Sequence, residues 1–289
     1  MLALVEKLVV WGNLIKFSHS VFALPFAVIM ILAVARVRVV TWGQISLLLI
    51  CVVAARSAAM AFNRLVDARF DARNARTRGR EIPAGKVSSL EAVALVVGAS
   101  TIFVLAAFSL GDHCGVLSFP VLCVLLGYSF VKRFSSVCHL VLGLSLAMAP
   151  GGVWYALTAE WSARPAPLML SVLLWVAGFD ILYACQDLEF DRENGLFSVP
   201  SKFGISRSLK IAALMHICSV VALFWFGWLF GLGILFWIGA VLFSLLIASQ
   251  HITVFRHGLD QIDQVFFLRN GAGSLVLMVF GFFDWLVGG

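Results

Sequence analysis

Residues 43–71 read GQISLLLICVVAARSAAMAFNRLVDARFD, an apolar segment that runs directly into a pair of aspartates and indicates the class of fold. Residues 43–66 are long enough to cross the roughly 30 Å hydrocarbon layer of a membrane as a helix. Asp67 and Asp71 are spaced i, i+4, so a helix places both carboxylates on one face, and Asn63 lies one turn earlier on that face. We call these three residues the first acidic array.

A second apolar segment, residues 165–186, also ends in an aspartate pair. Asp180, Tyr183, Asp187 and Asp191 recur at about helical spacing and form the second acidic array. Several carboxylates close together near a membrane repel one another. Removing each of them from water without a cationic partner costs several kcal/mol. The two arrays therefore predict a site at which divalent cations bridge the carboxylates.

The composition places the chain among polytopic membrane proteins. Its 289 residues are 62% hydrophobic and only 12% charged, which excludes an ordinary soluble core. Stretches long enough to cross a membrane lie at residues 19–37, 43–66, 88–110, 115–131, 138–158, 165–186, 208–228, 230–252 and 265–287. We predict an all-α fold with nine transmembrane helices in a single bundle around a central cavity, and one domain over residues 1–289.

The basic residues predict the orientation in the membrane. Seventeen of the 21 Lys and Arg residues lie in the N-terminal segment, in the connections that follow the second, fourth, sixth and eighth predicted helices, or in the helix ends beside those connections. With these segments in the cytoplasm, the N-terminus and both acidic arrays face the cytoplasm, and a bacterial inner membrane is the expected location. The net charge of +6 reflects this bias and an anionic ligand, and nothing supports nucleic-acid binding.

The cysteines and histidines carry no recognisable metal motif. The six cysteines contain no CxxC pair, and the six histidines show no metal-ligand spacing. We interpret the cysteines as small apolar membrane residues and the histidines, including His139, as packing or interfacial residues. A role for His19 beside the cytoplasmic face stays open, and this residue lies outside those that the structure describes.

The connections after the two arrays resemble each other. Residues 67–86 read DARFDARNARTRGREIPAGK and residues 187–204 read DLEFDRENGLFSVPSKFG, and both begin with DxxFD. The arrays are therefore expected on corresponding, parallel helices that present their carboxylates across a shared cavity. Mg²⁺ prefers such oxygen ligands and commonly combines one or two carboxylates with substrate phosphates. Cations suited to a diphosphate follow in the sequence: Arg73, Arg76, Arg78, Arg80, Lys132, Arg133 and Lys202.

A diphosphate held at the mouth of an apolar, Phe-rich bundle indicates a lipid diphosphate whose tail lies in the membrane. Neutralising the diphosphate makes it a better leaving group. If the tail is allylic, the resulting carbocation can be captured by an electron-rich carbon, provided that the apolar cavity excludes water.

These motifs resemble a known family. NxxxDxxxD, then RTxxRxxPAG, then DxxYxxxDxxxD in a membrane chain is similar to the UbiA family of intramembrane aromatic prenyltransferases, which act in ubiquinone and menaquinone biosynthesis. The resemblance implies Mg²⁺ as cofactor and transfer of a polyprenyl group from polyprenyl diphosphate to a ring carbon of a small aromatic carboxylate. It assigns metal binding to Asp67, Asp71, Asp187 and Asp191, diphosphate binding to Asn63, Arg76, Arg80 and Lys132, and a role near the acceptor to Asp180 and Tyr183.

One departure from the family pattern bears on the acceptor. Many members have Asp directly after the first Asn, whereas this chain has Arg64. Several stretches look more like the branch that makes menaquinone through futalosine, so 4-hydroxybenzoate and 1,4-dihydroxy-6-naphthoate both remain candidate acceptors.

Arg56 lies two turns before Asn63, on the same helix face but deeper in the membrane. An intramembrane Arg is a functional-site hypothesis, and we predict that it binds the acceptor carboxylate. An internal salt bridge with Asp180 is the alternative. Asp180 itself can accept a proton from the acceptor or orient Tyr183, and the sequence does not separate these roles.

Two other classes of membrane protein also use intramembrane carboxylates. An ion-coupled transporter is the main alternative, but it predicts inverted repeats, whereas the two arrays here recur in parallel. An alcohol phosphatidyltransferase requires a DGxxAR pattern, and the sequence contains no DG dipeptide.

Overall fold

The computed structural model describes residues 2–16, 22–259 and 262–288, and in these ranges the regular structure is helical, without a strand. This confirms the predicted all-α class. The α-helices, in chain order, are α1 Leu2–Leu14, α2 Leu24–Ala35, α3 Trp42–Arg73, α4 Ser89–Leu110, α5 Asp112–Val131, α6 Cys138–Thr158, α7 Ala166–Ala184, α8 Leu188–Glu193, α9 Val199–Phe203, α10 Ile205–Leu229, α11 Ile234–His257 and α12 Ile262–Gly288.

Eight segments among the described residues are long and apolar enough to cross a membrane, so the chain is an integral membrane protein. The predicted number was nine. The difference lies in the first predicted span, residues 19–37, where the described helix α2 has 12 residues. At 1.5 Å per residue this helix is about 18 Å long, too short to cross the hydrocarbon layer alone. Pro25 lies in its first turn, where proline is well tolerated because the missing N–H would have no helical partner.

The chain forms two compact units. Unit 1 comprises Met1–Ser20 and Ser46–Phe130, and unit 2 comprises Val21–Ile45 and Val131–Gly289. Each unit contains one of the acidic arrays and has its own buried core. The assignment of residues 1–289 to a single functional domain therefore stays a prediction.

Unit 1 is dominated by α3, whose 32 residues extend over about 48 Å. This length exceeds the hydrocarbon layer, so the helix carries its acidic end beyond the apolar span. The start of α4 is fixed by a capping box, in which the Ser88 and Glu91 side chains each accept from the other's backbone N–H. Lys7 of α1 forms an ion pair with Glu91, and Leu14 packs with Val87 and Ala92.

Unit 2 is built around α7, which packs against α6 and α10. Trp175 is fully buried in a cluster of aromatic rings that includes Phe26 and Phe243. Glycines permit close helix contacts on both sides. A Cβ on Gly143 would lie 2.3 Å from the Leu173 carbonyl oxygen, and a Cβ on Gly178 would lie 2.5 Å from the His216 ring.

Ion pairs hold the end of unit 2 at which α2 and α12 terminate. Arg36 Nη2 donates to Asp284 Oδ2 at 2.7 Å, and the same oxygen accepts from the Gly233 backbone N–H at 2.8 Å. Arg38 pairs with Glu160. The second acidic array lies at the opposite end of this unit, where α7 ends.

Candidate functional site

The first acidic array lies on one uninterrupted helix, as the i, i+4 spacing predicts. Asn63, Asp67 and Asp71 all belong to α3. Asn63 Nδ2 donates to Asp67 Oδ2 at 3.1 Å and contacts Ser129 Oγ of α5 at 3.4 Å. Asp67 and Asp71 are buried, with exposures of only 2% and 6%. Both carboxylates are therefore enclosed by protein at the end of a membrane helix.

The connection after α3 folds back onto Asp71. Arg80 Nη1 donates to both carboxylate oxygens of Asp71, at 2.7 and 2.8 Å. Thr77 Oγ1 donates to the Asp71 backbone carbonyl at 3.2 Å, and the Asn74 side chain accepts from the Arg76 backbone N–H at 2.9 Å. The Arg80 guanidinium thus compensates the negative charge of the buried Asp71 carboxylate, which lies close to the buried Asp67.

Three further cations of unit 1 bear on the predicted site. Arg76, a predicted diphosphate ligand, is exposed on the connection that follows the array. Arg64, the residue that departs from the family pattern, is buried with its Nε atom lacking a hydrogen-bond partner. Arg56 also has a buried Nε atom without a hydrogen-bond partner. A buried, incompletely paired guanidinium is costly, so both Arg56 and Arg64 are able to gain from an anionic ligand.

The second acidic array lies on a helix whose winding changes, which the sequence did not predict. Helix α7 ends at Ala184, a 3₁₀ turn covers Cys185–Asp187, and α8 begins at Leu188. A 3₁₀ turn advances about 120° per residue instead of 100°, so three residues rotate the following side chains by about 60°. Asp187 and Asp191 are therefore rotated by about 60° from the positions, relative to Asp180, that an unbroken α-helix would give them.

The partners of the second pair come from elsewhere in unit 2. The Asp191 side chain is hydrogen-bonded to Ser198, and its electrostatic neighbours are Asp187, Lys132 and His139. Lys132 is placed by its own backbone, because its carbonyl accepts from the Phe197 N–H at 2.7 Å. The predicted diphosphate ligand Lys132 and the predicted metal ligand Asp191 therefore belong to one local cluster.

Asp180 has a partner that the sequence analysis missed. His139 Nδ1 lies 2.6 Å from Asp180 Oδ2. The histidine side chain is 4% exposed, whereas that of Asp180 remains 32% exposed. Tyr183 is partly buried and packs against Ile181, Leu182 and Val199. His139 lies 41 residues before Asp180, and no local motif signals this contact.

The donor atoms suit Mg²⁺ in a particular way. In the part of the chain that the structure describes, no three or more His, Cys, Asp or Glu side chains are grouped closely enough to hold a metal ion. Each array instead offers a pair of carboxylates, and Mg²⁺ commonly takes one or two carboxylates while substrate phosphates and water complete its shell. The side chains therefore fit a hard cation that binds together with a phosphate-bearing substrate.

Apolar helices long enough to cross a membrane, with acidic pairs at the ends of two of them, define the chain as an integral membrane protein whose carboxylates are suited to a hard cation. Comparison with known proteins identifies the family. The model of the UbiA prenyltransferase family matches residues 23–271. The chain therefore belongs to the UbiA prenyltransferase family and is an integral membrane prenyltransferase.

Curated relatives agree with this assignment. A 4-hydroxybenzoate octaprenyltransferase from Aeromonas salmonicida is 30% identical over 77% of this chain and 77% of the relative. A 4-hydroxybenzoate octaprenyltransferase from Vibrio parahaemolyticus is 26% identical over 95% of this chain and 96% of the relative.

Solved structures share the fold. A UbiA homologue from Aeropyrum pernix in its apo form is 31% identical, with a TM-score of 0.84 over 92% of this chain and 98% of that chain. A UbiA homologue from Archaeoglobus fulgidus, solved with GPP and Mg²⁺, is 18% identical, with a TM-score of 0.71 over 96% of this chain and 99% of that chain. At that identity the second structure supports the fold alone.

Proposed function

We propose that the protein transfers a polyprenyl group from polyprenyl diphosphate to a ring carbon of a small aromatic carboxylate, with Mg²⁺ as cofactor. The observation that carries the proposal is the buried Asp67 and Asp71 pair with Arg80 bonded to Asp71. Two carboxylates suited to a cation lie at the end of α3, and a guanidinium suited to phosphate lies in the connection that follows this helix. The names of the curated relatives support it, and the Archaeoglobus homologue, which shares the fold, was solved with GPP and Mg²⁺.

The proposed roles follow the chemistry of each side chain. The carboxylates of each array bind Mg²⁺, namely Asp67 and Asp71 in the first array and Asp187 and Asp191 in the second. The diphosphate oxygens accept hydrogen bonds from Asn63, Arg76, Arg80 and Lys132. Magnesium, when bound, neutralises the diphosphate charge and makes it a better leaving group.

The transfer breaks the bond between the prenyl C1 and the diphosphate oxygen, and the electron pair leaves with the diphosphate. A ring carbon of the acceptor then bonds to the allylic cation, and the ring loses a proton. Asp180 is the proposed proton acceptor, because its carboxylate is partly accessible and held by His139. Tyr183, one helical turn after Asp180, is proposed to lie near the acceptor, and it packs against the apolar cluster that includes Ile181 and Leu182. Apolar helices exclude the water that would otherwise capture the cation.

Arg56 is the proposed ligand of the acceptor carboxylate. Its Nε atom is buried without a hydrogen-bond partner, and Arg binds carboxylates through two parallel hydrogen bonds. Both candidate acceptors, 4-hydroxybenzoate and 1,4-dihydroxy-6-naphthoate, carry this group. The first is favoured by the names of the relatives, and the product would enter ubiquinone biosynthesis; the second would lead to menaquinone. We place both arrays on the cytoplasmic side of a bacterial inner membrane, following the distribution of basic residues.

The test is product formation by the protein in lipid nanodiscs, supplied with polyprenyl diphosphate and each acceptor in turn. We expect prenylated product from one acceptor, its loss in EDTA and its return with Mg²⁺. No metal-dependent product from either acid would contradict the proposal and revive the transporter alternative.

Arg56→Ala tests the acceptor contact in the same assay. We expect its apparent KM for the acceptor to rise about tenfold or more, because a charge-assisted pair is lost. Its KM for polyprenyl diphosphate should change little. Exposed Arg164 supplies the control variant, Arg164→Ala, which should behave as wild type. An unchanged acceptor KM in Arg56→Ala would remove this residue from the site.

A further inference from the structure

His139 has two hydrogen-bond partners that together fix the position of its hydrogen. The Val199 backbone N–H donates to His139 Nε2 at 3.1 Å, and His139 Nδ1 lies 2.6 Å from Asp180 Oδ2. A backbone amide can only donate, so Nε2 must be the acceptor. The ring hydrogen therefore lies on Nδ1 and is donated to Asp180. An imidazolium, with hydrogens on both nitrogens, could not accept the Val199 bond.

The second partner belongs to the segment that follows the second acidic array. Val199 is the first residue of α9, and Ser198, which caps this helix, also hydrogen-bonds the Asp191 side chain. The same segment is bonded at Phe197 to Cys138, whose Sγ lies 3.4 Å from the Phe197 carbonyl oxygen. A continuous path of contacts within unit 2 thus runs from Asp180 through His139 to the segment that holds Asp191.

We propose that His139 is a positioning residue that fixes Asp180 as a hydrogen-bond-accepting carboxylate and connects it to the segment that holds Asp191. This inference rests on the proposed function, in which Asp180 and Asp191 belong to the reaction site. His139 itself is buried, and its Nδ1–H occupies one oxygen of Asp180. The other oxygen is then the one available to the acceptor. The histidine orients Asp180 as carboxylates orient histidines at metal sites, with the roles exchanged.

Two conservative variants separate the two bonds. An Asn side chain reaches the position of Nδ1, and a Gln side chain reaches the position of Nε2. His139→Gln keeps an acceptor for Val199 and loses the donor to Asp180. We expect its kcat to fall about 10- to 100-fold, in the range of acid–base contributions, with the KM for polyprenyl diphosphate within about threefold of wild type.

His139→Asn should show the opposite pattern. It keeps a donor to Asp180 and loses the acceptor for Val199, so the segment holding Asp191 is released. We expect the KM for polyprenyl diphosphate to rise about three- to tenfold while kcat stays within about threefold. His139→Gln should also cause no further loss of kcat when Asp180→Asn is already present, because the bond it removes would serve only Asp180.

The control is His216→Gln, another buried histidine of unit 2, bonded to His251 and to the Trp175 carbonyl and placed outside the proposed site. Equal losses of kcat and apparent Tm in both His139 variants, matching this control, would overturn the proposal. The proposal would also be overturned if His139→Gln lowered kcat further in the presence of Asp180→Asn, or if both His139 variants had wild-type kinetics. Product formation by wild type separates these outcomes from failure of the proposed function, which would abolish metal-dependent product in every variant.

Discussion

The two acidic regions begin with the same DxxFD pattern and differ in how the protein holds them. Asp67 and Asp71 lie on one continuous helix and are buried. Their identified partners, Asn63 and Arg80, lie within nine residues along the chain. The carboxylates at 187 and 191 are only partly buried, and a change of winding precedes them.

The partners of the second region are distant in sequence. Lys132 lies in the connection before α6, His139 lies at the start of α6, and Ser198 is the cap of α9. Tertiary packing of unit 2 therefore determines the surroundings of Asp191, whereas local sequence determines those of Asp71. We infer that the first region is largely preformed, with Arg80 offsetting the charge until a cation and a diphosphate bind. The second region depends on the position of the segment before α9, because Ser198 of that segment is hydrogen-bonded to Asp191.

The largest expected effect comes from neutralising one carboxylate in each region. We expect Asp67→Asn and Asp191→Asn each to lower kcat/KM by about 10³-fold, because each removes a ligand for the metal that neutralises the leaving group. Asn preserves the shape and, at position 67, an acceptor for Asn63. The measurement is product formation across a range of Mg²⁺ concentrations, with thermal shift on adding Mg²⁺ and diphosphate as a second readout.

Asp112→Asn is the control, because Asp112 is exposed and lies at the start of α5, the end of that helix remote from Ser129 and Asn63. A large loss of kcat/KM in Asp67→Asn together with a near-wild-type value in Asp191→Asn would contradict the expectation that both regions bind the metal. The metal site would then belong to the first region alone.

A smaller effect should separate the ways in which the two regions are stabilised. Arg80→Gln leaves the buried Asp71 carboxylate without its cation, and breaking one side of such a pair is destabilising. We expect a lower apparent Tm without ligand and a KM for polyprenyl diphosphate raised about 10- to 100-fold. Lys132→Gln should raise the same KM with a smaller change in Tm, because its electrostatic neighbour Asp191 is only partly buried and has a second partner in Ser198.

Adding Asp71→Asn to Arg80→Gln should recover most of the lost stability while activity stays low, since the unpaired buried charge is gone. If Arg80→Gln is as stable as wild type, the ion pair with Asp71 does not stabilise the resting protein. The contrast between the regions would then lie in ligand binding alone.

The contrast also explains what the sequence could predict. Helical spacing located Asn63, Asp67 and Asp71 correctly because each lies within one uninterrupted helix. The change of winding at Cys185–Asp187 was missed because the sequence around it contains no Gly or Pro. His139 was interpreted as a packing residue because its two partners lie 41 and 60 residues away.

The number of membrane helices differs for a related reason. Apolar composition marks residues 19–37 as one span, but composition does not show where a helix begins. The described helix α2 starts at Leu24, followed by Pro25. Family motifs supplied the candidate roles of Arg76, Arg80 and Lys132, which neither periodicity nor composition distinguishes from other surface cations.

The smallest expected effect uses two helix caps that are chemically alike. Ser198 caps α9 and also bonds Asp191, whereas Ser88 caps α4 and has Glu91 as its partner. Replacing either with Ala removes a capping interaction worth about 1 kcal/mol. Ser198→Ala should in addition raise the KM for polyprenyl diphosphate about two- to fivefold, since Asp191 loses its hydrogen bond. Ser88→Ala should lower apparent Tm without changing this KM. If both variants have the same KM for polyprenyl diphosphate, the hydrogen bond from Ser198 to Asp191 supports the fold and not substrate binding. The surroundings of Asp191 would then not depend on the segment before α9, and the second region would resemble the first.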